Sequence, residues 1–276
     1  MSDDSFRTTR SRYMSTCDPC PRYSRFVRIS IVTLFPAFFD SPLDVSIVGR
    51  ATAAGLIDID VVDLRAHGLG KHRQVDDAPF GGGPGMVMMI EPLAATLEPL
   101  ASSHRVLLSP SGPRLSQEHL DRWSGIAHLT LVCGRFEGVD ERVAEHFIDE
   151  QVSLGDFVIA GGEAAAVAIV EGVARLLPGV VGNADSTEHE SFRDGLLEEP
   201  QYTRPADYGG WSVPEILLSG DHGRIDEWRR QQRLERTRQR RPDLLEGFVV
   251  TAGEEYDPAS PGGRPRTPEG TPDEHA

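Results

Sequence analysis

The residues best placed to do chemistry sit where apolar runs give way to glycine. Leu131-Val-Cys-Gly-Arg-Phe-Glu-Gly-Val-Asp-Glu-Arg142 is the fullest case. A continuous apolar run closed by Gly134 and Gly138 suits a parallel strand that must turn sharply beside a ligand. Arg105-Val-Leu-Leu-Ser-Pro-Ser-Gly-Pro113 and Ser153-Leu-Gly-Asp-Phe-Val-Ile-Ala-Gly-Gly-Glu163 share the style. Three such strand ends predict one pocket built largely from backbone atoms, at the carboxyl ends of the strands of an open α/β sheet.

A second glycine-rich word, Val75-Asp-Asp-Ala-Pro-Phe-Gly-Gly-Gly-Pro-Gly-Met86, has almost no side chain from Gly81 to Gly85. Its backbone N–H groups can approach a phosphate or a base closely; the plainer alternative is a flexible surface turn. No Lys-Ser/Thr pair follows Gly85, so it is not a P-loop, and no G-x-G-x-x-G follows a strand. Cys17-Asp-Pro-Cys20 has zinc-like spacing, but no second pair completes a site. Between Gly223 and Arg241 eight arginines face three carboxylates, although the whole chain carries −15. That run is either a nucleic-acid contact or a solvated helix face with i,i+4 pairs.

These groups need a scaffold, and 276 residues at 39% hydrophobic suffice for a large core. No apolar run reaches the roughly eighteen residues of a membrane span. The Arg- and Ser-rich start has no apolar signal region, Met14 offers an alternative start, and three cysteines fit a reducing cytoplasm. Strands are expected at 28–34, 57–63, 105–109, 128–133 and 151–154. Helices are expected at 42–54 with Gly55 as stop, 91–100, 117–124, 139–146 and 162–177. The alternation predicts a parallel α/β sheet. The expected units are a flexible arm over 1–26, an α/β domain over 27–180, a linker over 181–208, a small helical domain over 209–248 and a disordered acidic tail over 249–276. Residues 64–85 read as an irregular functional loop.

Taken together, these words resemble the bacterial tRNA (guanine-N1)-methyltransferases, of the knotted SPOUT class. The resemblance covers about residues 27 to 246. It also includes Ser30-Ile-Val-Thr-Leu-Phe-Pro36, Tyr202-Thr-Arg-Pro205 and Leu217-Leu-Ser-Gly-Asp-His222. It implies a deep trefoil knot, a homodimer with composite active sites and a helical domain on a flexible linker. The implied reaction moves a methyl from S-adenosylmethionine to N1 of the guanine just 3′ of the tRNA anticodon. N1 carries a proton at neutral pH, so a base must remove it, and a cation must meet the charge that develops.

By this resemblance the cation is Arg175, and the base lies in Thr187-Glu-His-Glu-Ser-Phe192, where Glu190 stands at the family's aspartate position. His189 and Asp185 remain rival bases. Cofactor contacts are carried to Leu108 and Pro110, to Gly134 and Glu137, and to Leu154, Gly155, Asp156, Phe157, Val158, Ile159, Gly161 and Gly162. A salt bridge from Glu137 to Arg135 or Arg142 is the alternative to a ligand contact. Phe80, Phe136 and Phe157 stand where the family commonly has tyrosine, so ring faces remain and hydroxyl bonds are lost. RNA contacts are carried to Asp76 and Gly83 at the glycine-rich loop, with Asp77 beside them, and to Arg204, Arg229, Arg230 and Arg233. Trp228 is expected in the core of the small domain. Magnesium is implied by resemblance only, with no protein cage visible in the sequence. The competing expectations are a non-catalytic RNA-binding protein and a knotted enzyme with another RNA target.

Overall fold

The computed structural model describes residues 26–182 and 190–245. The expected arm up to residue 25, the Cys17/Cys20 pair, the acidic tail, His189 and Asp185 all lie outside them.

Val27–Thr33 forms β1, where Val27, Ile29 and Ile31 alternate toward one face and Val32 meets the other. Ser46–Ala53 is α1 and Ile57–Asp63 is β2. The two-residue strands Asp76–Asp77 (β3) and Val87–Met88 (β4) pair antiparallel across the glycine-rich loop. Ile90–Leu97 (α2) leads to His104–Leu108 (β5), Gln117–Ser124 (α3) and His128–Cys133 (β6). Glu141–Phe147 (α4), Glu150–Val152 (β7) and Glu163–Ala174 (α5) complete the α/β part. Five strands pair in parallel in the order β2-β1-β6-β5-β7. One core joins β1, β5 and β6 to α1, α3 and α5 through Trp123, Leu129, Leu131, Ile169 and Val173. A second core joins Val32, Leu107 and Val132 to α2 and α4 through Leu93, Leu97 and Val143. Covering both faces lets the strands be apolar without alternation, which is why His128–Cys133 reads as a run.

Several boundaries differ from expectation for identifiable reasons. The helix expected from Pro42 begins at Ser46, whose φ of 56° breaks continuity with the turns before it. The helix expected to reach Leu177 ends at Ala174, with Leu176 and Leu177 closing tighter turns onto Val173 and Ala174. Pro178 disfavours α geometry in the residue before it. Residues 64–85 are less irregular than expected: Leu64–His67 is a 3-10 turn capped by the Asp63 carboxylate, and Leu69 pairs with Gln74. Ser153 and Leu154 leave the sheet rather than extend it.

Beyond the sheet, Asp207–Tyr208 (β8) and Trp211–Ser212 (β9) form a hairpin that sequence reasoning missed. Its turn is Gly209-Gly210, both at positive φ as a two-residue hairpin requires. His222–Arg240 is α6, capped by the Asp221 carboxylate on the Arg224 N–H and flanked by short 3-10 turns. Trp228 is half-buried, with its ring centroid 6.5 Å from that of Tyr202. Among the described residues no helix is long and apolar enough to cross a membrane.

Candidate active site

Three strand ends converge as the glycine words require. Leu108 and Pro110 after β5, Gly134 after β6 and Leu154 and Gly155 after β7 wall a cavity of about 230 Å³. The segment from Phe157 to Gly162 closes it, and Glu137 lies at its edge. Gly162 donates its N–H to the Gly134 carbonyl at 3.0 Å, drawing two of these turns together. A Cβ on Gly162 would lie 2.9 Å from Cys133 Cα and 3.0 Å from Leu108 Cβ, so only glycine fits there without displacement. The loop after β5 wraps the third wall: Ser153 donates to the Pro113 carbonyl at 2.9 Å, and Leu115 donates to the Ser153 carbonyl at 2.7 Å. Asp156 does not line the cavity; its carboxylate faces solvent, 3.5 Å from Arg114.

Beneath the pocket sits a network that sequence reasoning missed. Glu163, 1% exposed, accepts from Thr33 Oγ1 at 2.8 Å and from Arg135 Nε at 3.0 Å. Arg135 also lies over the Phe35 ring, 4.5 Å from its centroid. A carboxylate in the first turn of α5 meets the positive end of the helix dipole, so the network ties β1, β6 and α5 at the pocket floor. The available signal was an acidic residue directly after Gly161-Gly162. Cys133 lies here too, and burial first, then the nearby Glu163 charge, push its thiol pKa up, which keeps it protonated.

The alternative pairing of Glu137 does not occur. Arg135 is taken by Glu163, and Arg142 by Asp140 at 2.7 Å. The Glu137 side chain instead packs against Gly85 of the glycine-rich loop, where a Cβ would meet its Oε1 at 2.3 Å. Glu137 also donates its N–H to the Met86 carbonyl at 3.0 Å. The structure therefore brings the glycine-rich loop to the pocket rim within one chain. Gly83 stands exposed in that loop at φ 129°, Phe80 beside it is fully exposed, and Asp76 is half-buried at its base.

Arg175 and Glu190 meet each other, but not at the pocket. Both guanidinium Nη groups donate to the carboxylate, with Nη1 at 2.6 Å from Oε2. This hydrogen bonding raises the Arg175 pKa further above its ordinary range. The pair lies at the carboxyl end of α5 and the pocket at its amino end. Twelve residues at 1.5 Å rise separate Glu163 from Arg175 by about 18 Å along the helix. The segment after Glu190 is pinned on both sides: Arg193 binds Asp121 of α3 at 2.7 Å, and Asp194 binds Arg233 of α6 at 2.6 Å.

The arginines expected at RNA differ among themselves. Arg229 sits near Glu199 and Asp226, Arg230 holds Glu227, and Arg233 holds Asp194. Arg204 is exposed and makes no ion pair among the described residues. No group of three or more His, Cys, Asp or Glu side chains suited to a metal occurs among the described residues.

A parallel sheet with a backbone-walled pocket at its carboxyl edge defines an α/β ligand-binding class. Comparison with known sequences narrows it. The family described as tRNA (Guanine-1)-methyltransferase TrmD matches residues 27–247. Similar chains named tRNA (guanine-N(1)-)-methyltransferase occur in Gloeobacter violaceus, 54% identical over 79% of this chain and 98% of the relative. Those of Thermosynechococcus vestitus (50% identical, 81% and 96% covered) and Geobacter sulfurreducens (50%, 79% and 91%) are similar over nearly the same span. The chain belongs to the tRNA (guanine-N1)-methyltransferase family.

Proposed function

We propose that the protein methylates N1 of the guanine immediately 3′ of the anticodon in tRNA, with S-adenosylmethionine as donor. The pocket suits such a group: glycines at 134, 161 and 162 let the strand-end turns close around a ligand held by backbone, and Phe136 and Phe157 offer ring faces. When bound there, S-adenosylmethionine supplies an electrophilic methyl on a sulfonium. The chain's own work is then to present a deprotonated N1 to it.

The Arg175–Glu190 pair carries this reading. The Watson–Crick edge of guanine offers an acceptor, O6, beside a donor, N1–H. An arginine beside a carboxylate offers the complement. A guanine that leaves its stack can replace the mutual contact, with Arg175 donating to O6 and Glu190 accepting the N1 proton. Arg175 then meets the charge that develops on the purine without titrating itself. Asp76 and Gly83 at the pocket rim, and Arg204, Arg229, Arg230 and Arg233 beyond it, are proposed RNA contacts. Magnesium finds no protein cage among the described residues, and no step is routed through it.

Cofactor and base must meet, yet one chain holds them about 18 Å apart along α5. A homodimer in which the pocket of one protomer faces the Arg175–Glu190 pair of its partner resolves this. The exposed apolar rim formed by Phe157, Val158 and Ile159, with Val158 87% exposed, supports a covered pocket. The hydrogen bonding of Ser153 to both Pro113 and Leu115 of the loop after β5 supports the knotted path. Incubating an unmodified tRNA transcript with methyl-labelled donor, followed by nucleoside mass analysis, tests the reaction. The expected product is 1-methylguanosine at one position; a ribose methyl or no transfer overturns it. Light scattering should return the mass of two chains, and a fully active monomer would overturn the composite site.

A further inference from the structure

Arg229, Arg233, Arg236 and Arg240 recur at i, i+4, i+7 and i+11, so four guanidiniums share one stripe of α6. The structure turns that stripe toward the segment that follows Glu190. Leu197 donates its N–H to Thr237 Oγ1 at 2.9 Å, and Arg229 and Arg233 reach Glu199 and Asp194. The other two arginines are different. Arg236 and Arg240 line an open cleft together with Ser191, Gln201 and the carboxylates Glu198 and Glu199, and among the described residues neither arginine has an ion pair or side-chain hydrogen bond. The Nε of Arg236 is buried with no acceptor, as is the Nε of Arg233.

Buried polar groups are almost always matched, and a guanidinium N–H without an acceptor is costly. The two carboxylates that border the cleft do not fill the need. Glu199 is engaged by Arg229, and Glu198 accepts from Gln201 Nε2 at 2.9 Å. What is missing is a compact acceptor with two oxygens, carrying one negative charge, that can enter from solvent between two forks one helical turn apart.

We propose that this cleft binds a phosphodiester of the tRNA backbone. The inference rests on the reading that the substrate is RNA and adds the place where its backbone is gripped. Arginine forks match phosphate oxygens in pairs, which a compact ammonium could not do. Ser191, which borders the cleft, adjoins Glu190, and the Ser191 Oγ accepts the Glu198 N–H at 3.0 Å. A phosphate here therefore steadies the segment that carries the base as well as holding RNA. Arg236 and Arg240 act as positioning residues, not catalytic ones.

The test compares R236A/R240A with R238A, whose guanidinium points to the opposite side of α6 and holds Glu235 at 3.1 Å. The double variant should lose about tenfold or more in tRNA affinity. Its log K against log salt slope should flatten by about 0.7–0.9 for each lost phosphate contact. S-adenosylmethionine affinity should stay unchanged, and the KM for tRNA should rise more than kcat falls. R238A should match the wild type in all four readings. Since Arg236 is partly buried, R240A alone provides the same readout on an exposed residue, with about half the change in slope. Unchanged tRNA affinity and slope in R240A and in a folded R236A/R240A would overturn the proposal. Failure of the wild type to methylate tRNA would overturn the reaction instead, and the salt dependence of tRNA binding would still decide the cleft.

Discussion

At the amino end of α5 the proposed site is made of backbone; at the carboxyl end it is made of charged side chains. The first end is walled by glycines and strand turns over a buried Glu163–Arg135–Thr33 network. The second is a chain of ion pairs, Arg175–Glu190, Arg193–Asp121 and Arg233–Asp194, laid over a segment with little regular structure. Such construction tolerates different changes. A backbone pocket should tolerate phenylalanine at position 157 but not a methyl group added at Gly162. A charged relay survives small shifts of the chain but not the loss of one carboxylate.

The largest expected effect comes from breaking the charged end. Glu190→Gln keeps the shape and one of the two acceptors for Arg175, but removes the proposed proton acceptor. Its single-turnover rate should fall on the order of a hundredfold or more, with cofactor affinity unmoved. Glu190→Asp should keep much of the rate. A near-normal Glu190→Gln beside a collapsed His189→Ala or Asp185→Asn would move the base to that neighbour.

Breaking the backbone end should give the reverse pattern. The Cβ of Gly162→Ala would press on Cys133 Cα and Leu108 Cβ. Overpacking of this kind should weaken S-adenosylmethionine binding by about tenfold, as read by calorimetry, with tRNA affinity retained. Equal losses for both ligands would erase the contrast between the two ends.

The smallest effect concerns the amino ends of β5 and β7, at the edge of the sheet away from the pocket. Burial raises the Glu150 carboxyl pKa, but hydrogen bonds from Arg122 and His104 outweigh this and hold it below the usual carboxylate range. A depressed folded pKa gives stability that is present at neutral pH and lost as pH falls through the carboxylate range. Glu150→Gln should therefore lower the Tm by about 1–3 °C at neutral pH and flatten the acid limb of the stability profile. A steeper acid limb would contradict the assignment.

How far each end could be read from sequence follows from its construction. Val27–Thr33 and His128–Cys133 declare themselves through apolar runs, and Gly134, Gly161 and Gly162 through the absence of side chains. The pocket follows from local pattern. The Glu163–Arg135–Thr33 network joins residues up to 130 positions apart, and no spacing rule links them. Glu227 and Glu235 pair with Arg230 and Arg238 within α6, at a spacing a sequence shows, but the partners of Arg229 and Arg233 include Glu199 and Asp194, which enter from another segment. The β8–β9 hairpin is too short to raise a period-2 signal, and only Gly209-Gly210 marks it.

The length of α5 also sets how defects would be inherited. In the proposed dimer, a chain damaged at Gly162 still lends its Arg175 and Glu190 to a partner, and a chain damaged at Glu190 still offers an intact pocket. Two such alleles complement each other. Random pairing makes half the dimers mixed, each with one whole site of two, so about a quarter of the full activity returns. A single chain carrying both lesions rescues nothing.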